Sequence, residues 1–210
     1  MNVRQPVLKG PDINQFHLTE ETKMDTEKRL EELENQINQL KDTFVKFEKN
    51  ADDNKLAMVV FSGDLDKALA AFIIATGAVA MGMEVVMFFT FWGTPVLRDK
   101  KKKAGGKDVM GKMFGAMLPT GTGDVKLSNM NMGGMGTAMM KSLMKKKNVA
   151  SLEEMLDLAE ELGVRIYVCE MSMDLMGFKR EEFIDYKDMG FAGVATFLQE
   201  AANSKVQLFV

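Results

Sequence analysis

The chain contains one cysteine, Cys169, and its position indicates the chemistry that the protein could carry out. Residues 164–168 are mostly β-branched or aromatic and follow Gly163, which predicts a buried strand that ends at the cysteine. In an open parallel sheet, ligands collect beyond the carboxyl ends of the strands, and a thiolate placed there is a nucleophile. Cys169 is therefore the candidate catalytic residue. The alternative is a buried cysteine that packs as a small apolar side chain, and the residue pattern alone favours neither.

The residues near Cys169 limit the reactions that it could support. Ser172 is predicted to cap a short helix that contains Asp174, so that amides at the helix start point towards the sulfur and favour a thiolate. The carboxylates of Glu170 and Asp174 would instead disfavour it. The one histidine, His17, lies in the polar N-terminal segment, which argues against a Cys-His hydrolase or transferase. Sulfur exchange between two thiols needs mainly an accessible thiolate and a docking surface.

Trp92 is a second candidate, because it follows the predicted strand Glu84–Phe89. If that strand is parallel to the strand before Cys169, Trp92 emerges at the same edge of the sheet and could form a pocket wall. Alternatively, this single tryptophan fills the core beneath its loop. The sequence has no Walker loop, dinucleotide-binding glycine motif or metal-ligand spacing, so we expect neither a cofactor nor a metal.

Five stretches carry a family resemblance, in chain order Phe61–Asp64, Phe89–Gly93, Cys169–Gly177, Gly193–Ala201 and Val206–Val210. Together they resemble the DsrE/DsrF/DsrH-like family, which includes sulfur-carrier proteins, and the resemblance covers roughly residues 55–210. It implies that Cys169 accepts sulfane sulfur as a persulfide and passes it to a thiol of another protein. The chain would then be a sulfur carrier or sulfurtransferase, and its partners would be sulfur donor and acceptor proteins.

The resemblance also implies a pocket beside the cysteine. Its expected lining is Ser62, Gly63, Asp64, Trp92, Gly93, Met171, Ser172 and Met173. For Ser62–Asp64 the alternative is a helix cap and a turn. A non-catalytic module of the same fold, which binds a small ligand or regulates a partner, would share these features.

The apolar runs predict the fold class. Leu56–Phe61 and Glu84–Phe89 have the composition of buried strands on either side of a helix that ends at Gly82. Ser151–Glu154 is a capping box that opens the helix before the cysteine strand. Strands that alternate with helices predict a three-layer α/β/α domain with a mostly parallel, flavodoxin-like sheet. Towards the C-terminus the predicted elements are helical segments at 179–184 and 191–202 and a strand at Val206–Val210.

The first 54 residues are predicted to be separate from this domain. Residues 1–22 are polar and predict a tail. The following apolar residues recur at alternating steps of three and four, which predicts an amphipathic helix with a heptad seam at Leu30, Leu33, Ile37, Leu40, Phe44 and Phe47. The turn-prone Ala51–Asn54 marks the boundary, so that the α/β domain spans 55–210. The seam would either pack on its own domain or join subunits, and we favour a homo-oligomer.

An insert at about 98–147 is basic and rich in methionine and glycine. Residues 95–150 contain twelve Lys/Arg against three Asp/Glu, with clusters at Arg98–Lys103 and Lys145–Lys147. These clusters are expected to form a solvated loop, or else to contact an acidic partner protein or an anionic membrane surface. The lack of a recognised module argues against nucleic acid. The methionines are expected in a core or an interface. Pro119–Gly136 is expected to be a loop that acts as a lid or a subunit contact.

The composition, 46% hydrophobic and 27% charged, fits one soluble α/β domain with an appendage. The uncharged stretch Ala68–Met83 is shorter than the roughly 20 apolar residues that a membrane-spanning helix needs. A single cysteine and the lack of an N-terminal secretory pattern predict a cytoplasmic location.

Overall fold

The computed structural model describes residues 20–50 and 52–210, with side chains described for residues 27–43 and 54–210. The chain divides into an N-terminal unit that ends at Lys49 and a second unit that begins at Asn50. In the first unit, helix α1 spans Glu20–Asn50. It begins inside the segment that the sequence assigned to a tail, and the remainder of that segment lies outside the described residues.

The predicted heptad seam lies on α1, and its described side chains are exposed. Leu30, Leu33, Ile37 and Leu40 are between 49% and 64% exposed. The side chains of Phe44 and Phe47, the last two predicted members, lie outside the described residues. One face of α1 therefore carries an exposed apolar stripe.

The second unit is built on a five-stranded parallel sheet. Its strands are β1 (Asp52–Val60), β2 (Glu84–Phe89), β3 (Arg165–Cys169), β4 (Met189–Ala192) and β5 (Ser204–Phe209). Their spatial order is β4-β3-β2-β1-β5, and each neighbouring pair is parallel. The carboxyl ends of all five strands consequently lie at one edge of the sheet.

Helices cover both faces of this sheet. They are α2 (Leu65–Ala80), α3 (Val109–Met117), α4 (Met135–Lys146), α5 (Leu152–Glu161), α6 (Glu170–Met176) and α7 (Val194–Ala202), with 3₁₀ helices at Phe91–Leu97, Met132–Gly134 and Arg180–Glu182. The ring of Phe72 on α2 lies 5.9 Å from that of Phe89, and the ring of Phe197 on α7 lies 5.4 Å from that of Phe88. Because adjacent strand residues point to opposite faces, α2 and α7 lie on opposite sides of the sheet. No helix in the described part of the chain is long and apolar enough to cross a membrane.

The predicted three-layer α/β class is confirmed, but the strand order differs from the 2-1-3-4-5 order of flavodoxin. Two local predictions are wrong. Asp52–Asn54, predicted as a turn, begins β1, because Asp52 pairs with Ser204 of β5 and strand pairing outweighs the turn preference. Residues 191 and 192, predicted as helix, belong to β4, which pairs with β3.

A buried cluster of charges fixes the insert to the domain. Arg98 and Lys107 approach the Glu182 carboxylate to 3.3 and 2.5 Å, and all three side chains are at most 9% exposed. The two cations also lie 4.5 and 5.4 Å from the ring centre of Phe178. The expectation of a solvated loop is therefore wrong for Arg98, since part of the basic segment is buried.

Most other side chains of the insert lie at the surface. Lys100 and Lys102 form ion pairs with Asp124 and Asp185 at 3.4 and 2.6 Å, and Lys145–Lys147 are exposed at the end of α4. The exposed methionines of α3 and α4 are Met110, Met113, Met117, Met135, Met139 and Met140. A core position is therefore excluded for these methionines, and an interface position remains open.

The predicted loop Pro119–Gly136 is irregular as far as Asn131 and is tied to the domain. The Leu65 N–H donates to the Lys126 carbonyl at 2.8 Å, and Ser128 donates from its N–H and its hydroxyl to the Asp66 carboxylate at 2.8 and 2.6 Å. Burial acts to raise the pKa of Asp66, but the hydrogen bonds from Ser128 outweigh it and lower the pKa below its ordinary value. The loop is thus held to the start of α2.

Candidate functional site

The candidate site lies at the edge of the sheet where β1, β2 and β3 end. The residues that follow these strands belong to the motifs Phe61–Asp64, Phe89–Gly93 and Cys169–Gly177. β2 lies between β1 and β3 in the sheet. The fold therefore brings three stretches that are far apart in the sequence to one edge.

Cys169 is the last residue of β3, and α6 begins at the next residue. It is only 4% exposed and pairs in register with Ala192 of β4. Ile166 and Val168 belong to the core beneath α2, so the alternation along β3 places the Cys169 side chain on the face that α7 covers. The thiol is at the predicted strand end, but it is buried.

Ser172 does not cap α6, contrary to the prediction. The N-cap residue is Cys169 itself, without a side-chain cap hydrogen bond, and Ser172 lies in the first turn with no exposed surface. Its hydroxyl accepts the Phe91 N–H at 2.9 Å and lies 2.9 Å from the hydroxyl of Thr90. The serine therefore joins α6 to the loop after β2, because a buried hydroxyl is more stable with partners than as a free cap.

Thr90 is a site residue that the sequence analysis missed. Phe88 pairs with Tyr167 and Phe89 with Val168, so one step further along the same register Thr90 lies beside Cys169. Its backbone is extended and its side chain is 8% exposed. Its position directly after the apolar strand, inside the motif that also contains Trp92, was the available signal.

Two glycines allow the loops after β1 and β2 to interlock. A Cβ atom at Gly63 would lie 2.1 Å from the Trp92 carbonyl oxygen, and one at Gly93 would lie 2.3 Å from the Val60 carbonyl oxygen. The Gly93 N–H donates to the Phe61 carbonyl at 2.9 Å. Both glycines therefore have a backbone role, since any side chain would push the two loops apart.

Four of the predicted pocket residues line an open cavity of about 730 Å³. Its lining includes Ser62, Gly63, Asp64 and Trp92, and it does not include Cys169. Trp92 is 48% exposed, which places it at the cavity wall and not in the core. The Ser62 hydroxyl donates to the Asp64 carboxylate at 2.8 Å, and Lys67 forms an ion pair with it at 3.1 Å.

The two predicted methionines beside Cys169 differ in exposure. Met171 is 58% exposed, whereas Met173 is 4% exposed and packs in the core. Arg180, which the sequence analysis did not select, forms an ion pair with Glu170 and lies 4.9 Å from the ring centre of Phe191. The first turn of α6 is thus exposed on one side and held by a surface ion pair at its start.

The described residues contain no group of three or more His, Cys, Asp or Glu side chains that could hold a metal ion. The chemistry that the edge offers is that of one thiol with a buried hydroxyl pair beside it, next to a separate open cavity. These features define a parallel α/β protein with a buried thiol at the carboxyl edge of its sheet.

Comparison with known proteins identifies the family. The model of the DsrE/DsrF/DrsH-like family matches residues 52–209. The chain therefore belongs to the DsrE/DsrF/DrsH-like family, as the motifs predicted.

Two relatives and one solved structure are similar to this chain. The uncharacterized protein YrkE of Bacillus subtilis (strain 168) is 45% identical over 156 residues, which cover 74% of this chain and 96% of YrkE. The sulfur carrier protein DsrE2 of Allochromatium vinosum is 39% identical over 171 residues, which cover 76% of this chain and 99% of DsrE2. The crystal structure of the ychN protein from E. coli aligns with a TM-score of 0.46 and 9% identity, over 75% of this chain and 99% of that chain.

Proposed function

We propose that Cys169 holds sulfane sulfur as a persulfide and passes it to a thiol of a partner protein. The observation that carries this proposal is the position of the only cysteine at the carboxyl edge of the sheet, in a chain 39% identical to a protein named as a sulfur carrier. A chain with one cysteine has no second thiol that could take the sulfur. The acceptor therefore has to be another molecule, which is the property of a carrier.

The two transfer steps balance without an external oxidant or reductant. In loading, the Cys169 thiolate attacks the outer sulfur of a donor persulfide; a new S–S bond forms, the donor S–S bond breaks, and the donor leaves as a thiolate. In unloading, an acceptor thiolate attacks the outer sulfur on Cys169, and the Cys169 thiolate leaves. Each step exchanges one S–S bond for another and shifts one proton between thiols.

The burial of Cys169 requires an opening step in this proposal. With the side chain 4% exposed, a partner sulfur cannot approach in line with the S–S bond. The element that we propose to move is the first turn of α6, which Ser172 joins to the loop after β2 and which Glu170 and Arg180 hold at the surface. A docked partner would compete for these contacts.

Intact mass spectrometry after incubation with a persulfide donor tests the proposal. Native protein is expected to gain one sulfur atom, and Cys169→Ser is expected to gain none. A second measurement, alkylation with a small reagent, separates a failed donor from an inaccessible thiol. If native protein gains no sulfur from any donor and is not alkylated while folded, Cys169 is a packing residue and the carrier proposal fails.

The open cavity supports a second candidate, a module that binds a small ligand without covalent chemistry. It is separate from Cys169, and Trp92, the only tryptophan, lies in its wall. A ligand would therefore change the tryptophan fluorescence. Binding that survives Cys169→Ser would support this candidate, whereas the carrier proposal requires that sulfur loading be lost in the same variant.

We further propose that Lys100–Lys103 and Lys145–Lys147 contact an acidic donor or acceptor protein. The alternative is an anionic membrane surface. We propose no role for these lysines in reading a nucleic-acid sequence. Exposed lysines attract such a partner at a distance, and salt screens the attraction. Transfer to the partner should slow as ionic strength rises, while loading of Cys169 by a small neutral donor should not. A reducing compartment such as the cytoplasm, which keeps partner thiols free, suits this function.

A further inference from the structure

The exposed stripe on α1 has the spacing of a coiled-coil seam. Leu30 and Ile37 take the a positions of a heptad, and Leu33 and Leu40 take the d positions. All four side chains lie on a continuous helix and are 49–64% exposed. Apolar residues at this spacing are stabilised when the same face of another helix covers them.

The charged residues beside the stripe indicate which helix fits it. Arg29 and Gln36 occupy g positions, and Glu34 and Lys41 occupy e positions. In a parallel pair of identical helices in register, each g residue faces the e residue of the next heptad on the other helix. Arg29 then faces Glu34 of the partner subunit, and Gln36 faces Lys41 of the partner subunit. The first contact is attractive and occurs twice, and the second is neutral.

The antiparallel arrangement fits less well. An antiparallel pair that covers all four described seam residues would place Leu30 against Leu40 of the partner subunit and Leu33 against Ile37 of the partner subunit. In that arrangement the e positions face each other, so Glu34 meets Glu34 of the partner subunit, while Glu27 meets Lys41 of the partner subunit. The antiparallel pair thus has two attractive contacts and one repulsive contact, whereas the parallel pair has two attractive contacts and no repulsive one. Like charges in contact are unfavourable. The described charges therefore favour the parallel orientation.

We propose that α1 pairs with α1 of a second copy as a parallel, in-register, two-stranded coiled coil. Ile37 at an a position between leucines at d is the combination that favours two strands over three or four. In this arrangement the carboxyl ends of both α1 helices lie at the same end of the coiled coil. The inference stands independently of the function proposed for Cys169.

A charge exchange in the full-length protein tests the pairing. Arg29→Glu and Glu34→Arg each turn two attractive contacts into two repulsive ones, so we expect roughly tenfold weaker dimerisation in sedimentation equilibrium for each. The double variant restores opposite charges and should return to the native affinity. The matched control is Lys28→Glu, at an f position away from the seam, which should leave the affinity unchanged. A native protein that stays monomeric, or a double variant no tighter than the single ones, overturns the proposal.

Disulfide formation separates the two orientations. In a Cys169→Ser background, Leu33→Cys places two thiols side by side only in the parallel in-register dimer. Oxidation of this variant, without a second cysteine variant in the mixture, should therefore give a covalent dimer. An antiparallel pair would instead cross-link only when Leu33→Cys is mixed with Ile37→Cys. That second outcome would overturn the parallel assignment. Circular dichroism of each variant confirms that α1 stays helical.

Discussion

The buried charge cluster makes a sharp prediction about stability. Glu182 is the one carboxylate in direct contact with Arg98 and Lys107 in the described structure, and its side chain is 3% exposed. Glu182→Gln keeps the shape, and its remaining oxygen can still accept the Lys179 N–H, which Glu182 accepts at 3.0 Å. What it removes is the negative charge, which leaves two cations buried against the ring of Phe178.

Loss of one partner from a buried ion pair costs about 3–5 kcal/mol, because the remaining charge stays desolvated and unpaired. We therefore expect Glu182→Gln to lower the free energy of unfolding by roughly this amount. Urea denaturation followed by circular dichroism measures it, since the midpoint shifts while the slope stays constant if the native fold is retained.

The matched control is Glu170→Gln, which removes the same charge from a surface pair. The side chains of Glu170 and Arg180 are 44% and 61% exposed, so solvent screens their attraction and the loss should be below about 1 kcal/mol. If Glu182→Gln costs no more than this control, the buried cluster does not hold the insert in place. The close approach of Gly111 on α3 to Gly177 at the end of α6, where a Cβ on Gly177 would lie 2.5 Å from the Gly111 Cα, must do so instead.

Two further changes are expected to act through single contacts. Gly63→Ala should destabilise the protein by more than about 2 kcal/mol in the same urea assay, because its Cβ would meet a backbone carbonyl oxygen at 2.1 Å. The control is Gly123→Ala, whose Cβ would have no atom within 4 Å, and its stability should stay within about 0.5 kcal/mol of the native value. Asp66 has a pKa below its ordinary value of 3.8, so its stabilising effect is present above that pH and is lost as the pH falls below it. Asp66→Asn should therefore flatten the acid limb of a plot of unfolding free energy against pH. An unchanged acid limb would contradict this.

The elements that the sequence predicted best are those with a local physical cause. β2 was placed at Glu84–Phe89, because a short uninterrupted apolar run between a glycine stop and a loop suits a doubly buried strand. The capping box Ser151–Glu154 was also confirmed, with both reciprocal hydrogen bonds present. Such signals lie within a few residues of the feature that they predict.

The elements that were missed depend on distant partners. β4 has only four residues, including Gly190, and becomes a strand because β3 supplies its hydrogen bonds. The burial of Arg98 likewise depends on Glu182, 84 positions further along the chain. A pattern in one segment cannot indicate such pairings, which explains why the basic insert was expected to be solvated.

The same distinction applies to the candidate site. The strand end at Cys169 followed from local residue types, but the position of Ser172 did not, since its hydroxyl is used by Thr90 and Phe91, which lie more than 80 residues earlier. Sequence spacing suggested a helix cap for a serine three residues beyond a strand end. In the structure the Ser172 hydroxyl contacts Thr90 and Phe91 instead, so this serine holds α6 to the loop after β2 and does not cap the helix start beside the thiol.

The burial of Cys169 has a consequence for the carrier proposal. A persulfide exchanges with any thiol that reaches it, so an exposed one would lose its sulfur to small thiols before it met a partner protein. At Cys169 the register partner on β4 is Ala192, which has a small side chain, and the hydroxyls of Thr90 and Ser172 lie 2.9 Å apart in the contact that joins α6 to the loop after β2. If this buried thiol carries the outer sulfur, release requires α6 to give up the hydrogen bonds of Ser172. A partner that binds at the exposed Met171 is in the right place to draw α6 away, and transfer would then be specific because only that partner opens the site.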